Sequence, residues 1–140
     1  MATTGTVLAK NMKLYFGATA LTCQVDASLS GSTNMFETTC KDSASEAAFL
    51  PGTTSWTVSG TANFAFDATL GFNTASTGLF AKWQAGTSVS IVFQTGVTGD
   101  QKWSGSAYVT SWTLSSNGND EAVTYDFELQ GTGTLTMATI

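Results

Sequence analysis

The chain contains no histidine and no arginine, one proline and two cysteines in 140 residues. Without histidine it lacks the commonest general base and metal ligand at neutral pH. No Ser-His-Asp triad can form, and Cys23 or Cys40 as a nucleophile would lack its usual base. Five lysines stand against ten acidic residues, for a net charge of −5. A chain so poor in basic residues has no patch with which to grip nucleic acid or an anionic membrane. Charged residues make up 11% of the sequence, against about 25% in a typical soluble domain. That shortage suggests that much of the surface faces other protein. No apolar run approaches the ~18 residues of a membrane-spanning helix. Met1–Thr6 shows no basic segment followed by an apolar one, so no secretory signal is read there. The expectation is a protein that stays in the cytoplasm of the cell that makes it, or leaves only by lysis, with Cys23 and Cys40 as thiols.

What is present is hydroxyl, glycine and alternation. The chain has 25 Thr, 15 Ser and 14 Gly, and 42% of it is hydrophobic. This composition favours strands and turns, with enough apolar side chains for one core. In 55–66, Trp56, Val58, Gly60, Ala62, Phe64 and Phe66 alternate with polar or small residues. In 122–130, Val123, Tyr125, Phe127 and Leu129 face one way, and Thr124, Asp126, Glu128 and Gln130 the other. Both segments have the period of a half-buried strand. Segment 87–95 places Val89, Ile91 and Phe93 on one face, with Val92 on the other. Met12, Leu14 and Phe16 form a further strand pattern, and 21–29 one or two more. Segment 103–115 changes phase between Val109 and Trp112, which predicts a β-bulge near Thr110-Ser111. Hairpin turns are expected at Gly17-Ala18, 98–100 and 117–120.

Two short helices are also predicted. One covers about 43–49, with Asp42 or Ser43 as N-cap, Glu46 in a capping box and Pro51-Gly52 as the stop. The other covers about 75–84, with Leu79, Phe80 and Trp83 on one stripe and Gly86 as the stop. The sum is a single mainly β domain over 1–140, a sandwich or partly open barrel with one substantial helix.

Chemistry-bearing motifs are scarce. No HExxH, P-loop or EF-hand pattern occurs, and Gly131-Thr-Gly133 opens no dinucleotide turn. Neither cofactor nor metal is expected. Asp126 and Glu128 share a strand face, and that pair reads as a solvated face rather than a hydrolase dyad. Asp100, Asp120 and Glu121 would meet a cation only if their loops approached one another. Of the tryptophans, Trp56 and Trp83 continue apolar patterns and are expected in the core. Trp103, beside Lys102 and Ser104, is the best candidate for exposure, and exposed tryptophans would suit a carbohydrate-binding β-sandwich, the alternative reading.

Four stretches, taken in order, carry a resemblance. They are Gly5-Thr-Val-Leu-Ala-Lys-Asn-Met-Lys-Leu-Tyr-Phe-Gly17, Glu37-Thr-Thr-Cys-Lys-Asp-Ser43, Trp56-Thr-Val-Ser-Gly60 and Tyr125-Asp-Phe-Glu-Leu-Gln-Gly-Thr-Gly133. Each is weak alone, but their order and spacing frame nearly the whole chain. The sequence resembles the major tail protein, or tail tube protein, of bacteriophages with long, non-contractile tails. Contractile-tail and type VI secretion tubes are similar in architecture. The resemblance implies two packed antiparallel sheets with a flanking helix. It implies homohexameric rings whose joined sheets line a channel, stacked into the tail tube that conducts DNA during ejection. The implied partners are further copies of the chain, tape-measure and tail-terminator proteins, and double-stranded DNA passing without specific binding. The implied place is the virion tail, and no enzymatic activity is expected. On this footing Asp126 and Glu128 are the candidates for an acidic channel lining. The segment from Glu37 to Thr54, with Glu37, Lys41, Asp42 and Glu46, is the candidate contact with a neighbouring protomer or ring.

Overall fold

A computed structural model of the chain describes residues 2–41 and 46–140. A 3-10 turn at Ala9–Asn11 precedes β1 (Lys13–Phe16), β2 (Thr19–Ala20), β3 (Gln24–Glu37) and β4 (Phe49–Asn63). Helix α1 (Leu79–Ala85) follows, then β5 (Val89–Gln94), β6 (Gln101–Ser115) and β7 (Thr124–Thr139). Among the described residues the fold is mainly β with one α-helix, as the alternation requires. Its ladders join into one seven-stranded sheet in the order β2-β1-β5-β6-β7-β4-β3, with antiparallel neighbours throughout.

The sheet curls over its own apolar face. Leu14 of β1 and Val58 of β4 lie on opposite flanks of the strand order, yet both belong to one buried cluster with Ile91, Ala107, Phe127 and Leu129. The curl is fastened by a side chain. Leu14 N–H donates to Gln24 Oε1 at 2.9 Å, and Gln24 Nε2 donates to Leu14 O at 2.9 Å. The carboxamide thus stands in for a strand residue between β1 and β3, which satisfies backbone groups at the open seam.

Bulges bend the long strands. The pairing of β6 with β7 shifts register between Val109 and Ser111, where the phase change predicted it. The extra residue lets Val109 pair with Leu129 and Trp112 with Phe127, so both reach the apolar side. α1 is shorter than predicted. Gly78 is its N-cap rather than an interior residue, and Gly86 closes it in the left-handed region at φ 69°, the usual use of glycine past a helix end. Leu79 is buried, and Phe80, Trp83, Trp112 and Phe72 form an edge-to-face and tilted cluster beside it.

The helix expected over 43–49 is corrected in its described part. Residues 42–45, with Asp42 and Ser43, lie outside the described residues. Residues 46–48 form no helix, and β4 already begins at Phe49. Pro51-Gly52 is no stop signal but part of β4, where Pro51 pairs with Met35 across a register shift. β7 covers β4 only from Thr57 onward, so the missing N–H of Pro51 deprives no second neighbour. Trp56 is buried as expected, whereas Trp83 is exposed. Trp103 is half-buried, paired with Phe93 and Met137, and not the exposed residue expected.

Candidate functional site

On the side of the sheet away from the core, β3, β4, β7 and β6 present aligned polar rows. One row runs Asp26, Thr61, Asp126, Thr113; the next runs Ser28, Ser59, Glu128, Ser111; the third runs Ser30, Thr57, Gln130, Tyr108. The alternation that buries Val58, Phe127 and Leu129 puts these residues outward. Asp126 and Glu128, chosen from the sequence, are exposed and two positions apart on β7. Asp26 joins them across β4. It escaped the sequence reading because nothing local tells that β3 lies two strands from β7.

Some hydroxyls of this face bond across the strands. Thr61 Oγ1 donates to Asp126 Oδ1 at 2.6 Å. Ser30 and Thr57 share a hydrogen bond at 3.1 Å, and Ser32 and Ser55 one at 3.0 Å. Thr110 Oγ1 donates to the Glu128 carbonyl oxygen at 3.0 Å. The three rows contain three carboxylates and no lysine. Lys10 and Lys13 lie at and before β1, Lys41 between β3 and β4, Lys82 on α1, and Lys102 at the far end of β6 opposite Ala138.

Two open strand edges flank these rows. Among the described residues β3 pairs only with β4 along its length. β5 covers β6 only as far as Ala107, which leaves Tyr108–Ser115 without a strand partner on that side. Unpaired edges of this length are templates for another strand.

The segment expected to be a long loop carries strand at both ends. Glu37 ends β3, Phe49–Thr54 belongs to β4, and the connection is 38–48. Glu37, Lys41 and Glu46 are exposed near its end; Asp42 lies outside the described residues. Beyond the part of β4 covered by β7, the two strands continue as an arm with Met35, Phe36, Phe49 and Leu50 all more than half exposed.

No group of three or more His, Cys, Asp or Glu that could hold a metal occurs among the described residues. Asp100 precedes β6, and Asp120 and Glu121 follow it, so a strand of 15 residues separates them. Asp100 instead accepts bonds from the hydroxyls of Thr3 and Thr95, both at 2.6 Å, and from Thr3 N–H at 2.5 Å. Those bonds, the Thr3 hydroxyl foremost, hold its carboxyl below the usual range. Tyr125 is buried, its hydroxyl has no hydrogen-bond partner, and desolvation pushes its pKa up to about 12. Cys23 and Cys40 are exposed beyond opposite ends of β3. That strand of 14 residues spans about 45 Å, so one chain cannot bridge the two sulfurs.

The fold of the curled sheet is shared with chains of several solved assemblies. The fold is similar to a chain of the virion of a native gene transfer agent particle, with TM-score 0.78 and 16% identity over 96% of this chain and 100% of that one. It is similar to the SPP1 tail tube, with TM-score 0.74 and 14% identity over 96% of this chain and 80% of that one. It is also similar to a chain of the sheath-tube complex of an extracellular contractile injection system, with TM-score 0.67 and 15% identity over 96% and 93%. No curated protein matches the chain in sequence. The family model described as phage tail tube protein matches residues 8–137. The chain belongs to the phage tail tube protein family, and it is a structural component of the virion tail.

Proposed function

We propose that the protein assembles six to a ring and that the rings stack into the tail tube through which DNA is ejected, with the polar rows of β3, β4, β7 and β6 facing the channel. A tail of a gene transfer agent particle, similar in fold to this chain at 15% identity, has C6 symmetry. The carrying observation is the face itself: three acidic residues, rows of hydroxyls and no lysine, flanked by two open edges. Joining the β3 edge of one protomer to the free part of β6 in the next would continue the sheet around a ring and remove both edges.

The lining's chemistry suits transit. Duplex DNA carries one negative charge per ~1.7 Å, so a basic wall would hold it at many points. Carboxylates repel it weakly, since salt limits their reach to about 8–10 Å. In this reading the protein performs no catalysis, assembles in the host cytoplasm around a tape-measure protein, and ends against a terminator protein. Mass photometry with negative-stain microscopy of concentrated protein tests the assembly. Six-copy rings or tubes are expected, and a monomer that persists at every concentration would refute it.

A further inference from the structure

The start of β3 and the turn between β6 and β7 lie at the same end of the sheet. Gln24, Ala62, Tyr125 and Leu114 share one row across β3, β4, β7 and β6. Past that row run the chain that leads into β3 and the turn 116–123. An open groove of about 890 Å³ lies there between β1 and the start of β3. Lys10, Lys13 and Cys23 stand exposed along it, and so does the apolar Val25. Asp26 is the acid among its described lining residues. The turn has the opposite charge. Residues 116–123 contain Asp120 and Glu121 and no lysine, and 116–122 are exposed throughout. The turn is not part of the lining of its own protomer's groove.

We propose that the β6–β7 turn of one copy clasps the β1–β3 groove of the next copy in the same ring, with Asp120 and Glu121 facing Lys10 and Lys13. The proposal rests on the tube reading above, from which it takes the joint between β3 and β6. Three observations carry it. Rotation about a ring axis preserves height, so a turn and a groove at one end of the protomer are level across the joint. The strands β3, β4, β7 and β6 alternate in direction, so β3 meets β6 of the next copy antiparallel. The end of that β6 then leads its turn past the start of β3, onto the groove. Charge and apolar surface also match: two carboxylates meet two ammonium groups, and Leu114, exposed on the open edge of β6, meets Val25. Exposed ion pairs add little energy. Their effect falls on register and on the rate of encounter, so ring formation should slow as salt rises.

Cross-linking tests this. Asn119→Cys is introduced with Cys40→Ser, which leaves Cys23 of the groove as the other thiol. Assembled protein is treated with a short bis-maleimide. Denaturing gels should show linked chains from two to six and none beyond, because the contact closes within one ring. Rings or tubes without a ladder, a ladder that runs past six, or the same ladder from Cys40→Ser alone would overturn the clasp and leave the tube reading intact. Wild-type protein that forms neither rings nor tubes would overturn both. If the cysteine variant does not assemble, charge exchange decides. Asp120→Lys with Glu121→Lys should slow ring formation about tenfold at low salt, and adding Lys10→Glu with Lys13→Glu should restore the rate. An unchanged rate in the first variant, or no recovery in the second, would overturn the contact.

Discussion

The indole of Trp56 lies flat against Gly131 of β7, with Gly105 of β6 beneath its benzene edge and its Nε1 donating to the Gly133 carbonyl oxygen at 3.2 Å. The contact ties three of the long strands together at the bend of the sheet. It also explains Gly131, whereas Gly133 takes a left-handed φ of 74°. A Cβ at Gly131 would overlap Trp56 Cδ2 and Cε2, and one at Gly105 would lie 2.6 Å from Cζ2. Gly131→Ala should therefore destabilise the protomer by about 1–3 kcal/mol, the usual scale of overpacking. Gly31→Ala, whose Cβ would meet only Ser55 O at 3.8 Å, should change stability little. Urea denaturation of the two variants checks the contrast.

Tyr125 gives a second prediction. Its hydroxyl is buried without a partner, so Tyr125→Phe should be neutral or stabilise by about 1 kcal/mol. The raised pKa sets an alkaline limit. The protonated phenol is favoured in the folded state, so this contribution is complete below pH 10 and is lost as pH rises towards about 12. Alkaline unfolding followed by tyrosinate absorbance should begin in that window for the wild type. It should shift upward in the Phe variant.

Asp100 fastens the N-terminal segment to the β5–β6 turn through Thr3 and Thr95. Only the carboxylate accepts all these bonds. Its pKa lies below 3.8, so the attachment is complete above pH 3.8 and is lost as pH falls through the depressed value. Limited proteolysis should leave residues 2–8 protected at pH 5. The same segment should be cut readily in Asp100→Ala at that pH.

Much of this architecture was legible from local pattern. Alternation marked β5 and the start of β7, and the switch from Val109 to Trp112 located the bulge of β6. The start of β4 departs from the expected helix because Pro51-Gly52 mimics a helix stop. Pairing of Phe36 with Leu50 and Met35 with Pro51 overrides that short-range signal from Phe49 onward. Trp103 was misplaced for a related reason. Polar neighbours in sequence mark alternation along a strand, whereas its burial depends on Phe93 and Met137 from other strands. Asp126 and Glu128 could be found on one strand, but Asp26 became their neighbour only through the non-consecutive order β7-β4-β3.

The acidic face predicts a charge-reversal phenotype. Asp126→Lys with Glu128→Lys places two ammonium groups where Thr61, Ser59 and Ser111 now face carboxylates. In phage that still assemble tails, genome release should be slower or incomplete, and more so at low salt, where screening is weaker. Ejection kinetics equal to wild type at all salt concentrations would remove these two residues from the transit mechanism.

The most direct measurement is a helical reconstruction of the assembled tube by electron cryomicroscopy. The account predicts six protomers per ring, β3 of each paired with the free part of β6 in its neighbour, and Asp26, Asp126 and Glu128 exposed to the channel. A tube with these three residues on its outer wall would contradict it, as would rings joined without strand pairing at those edges.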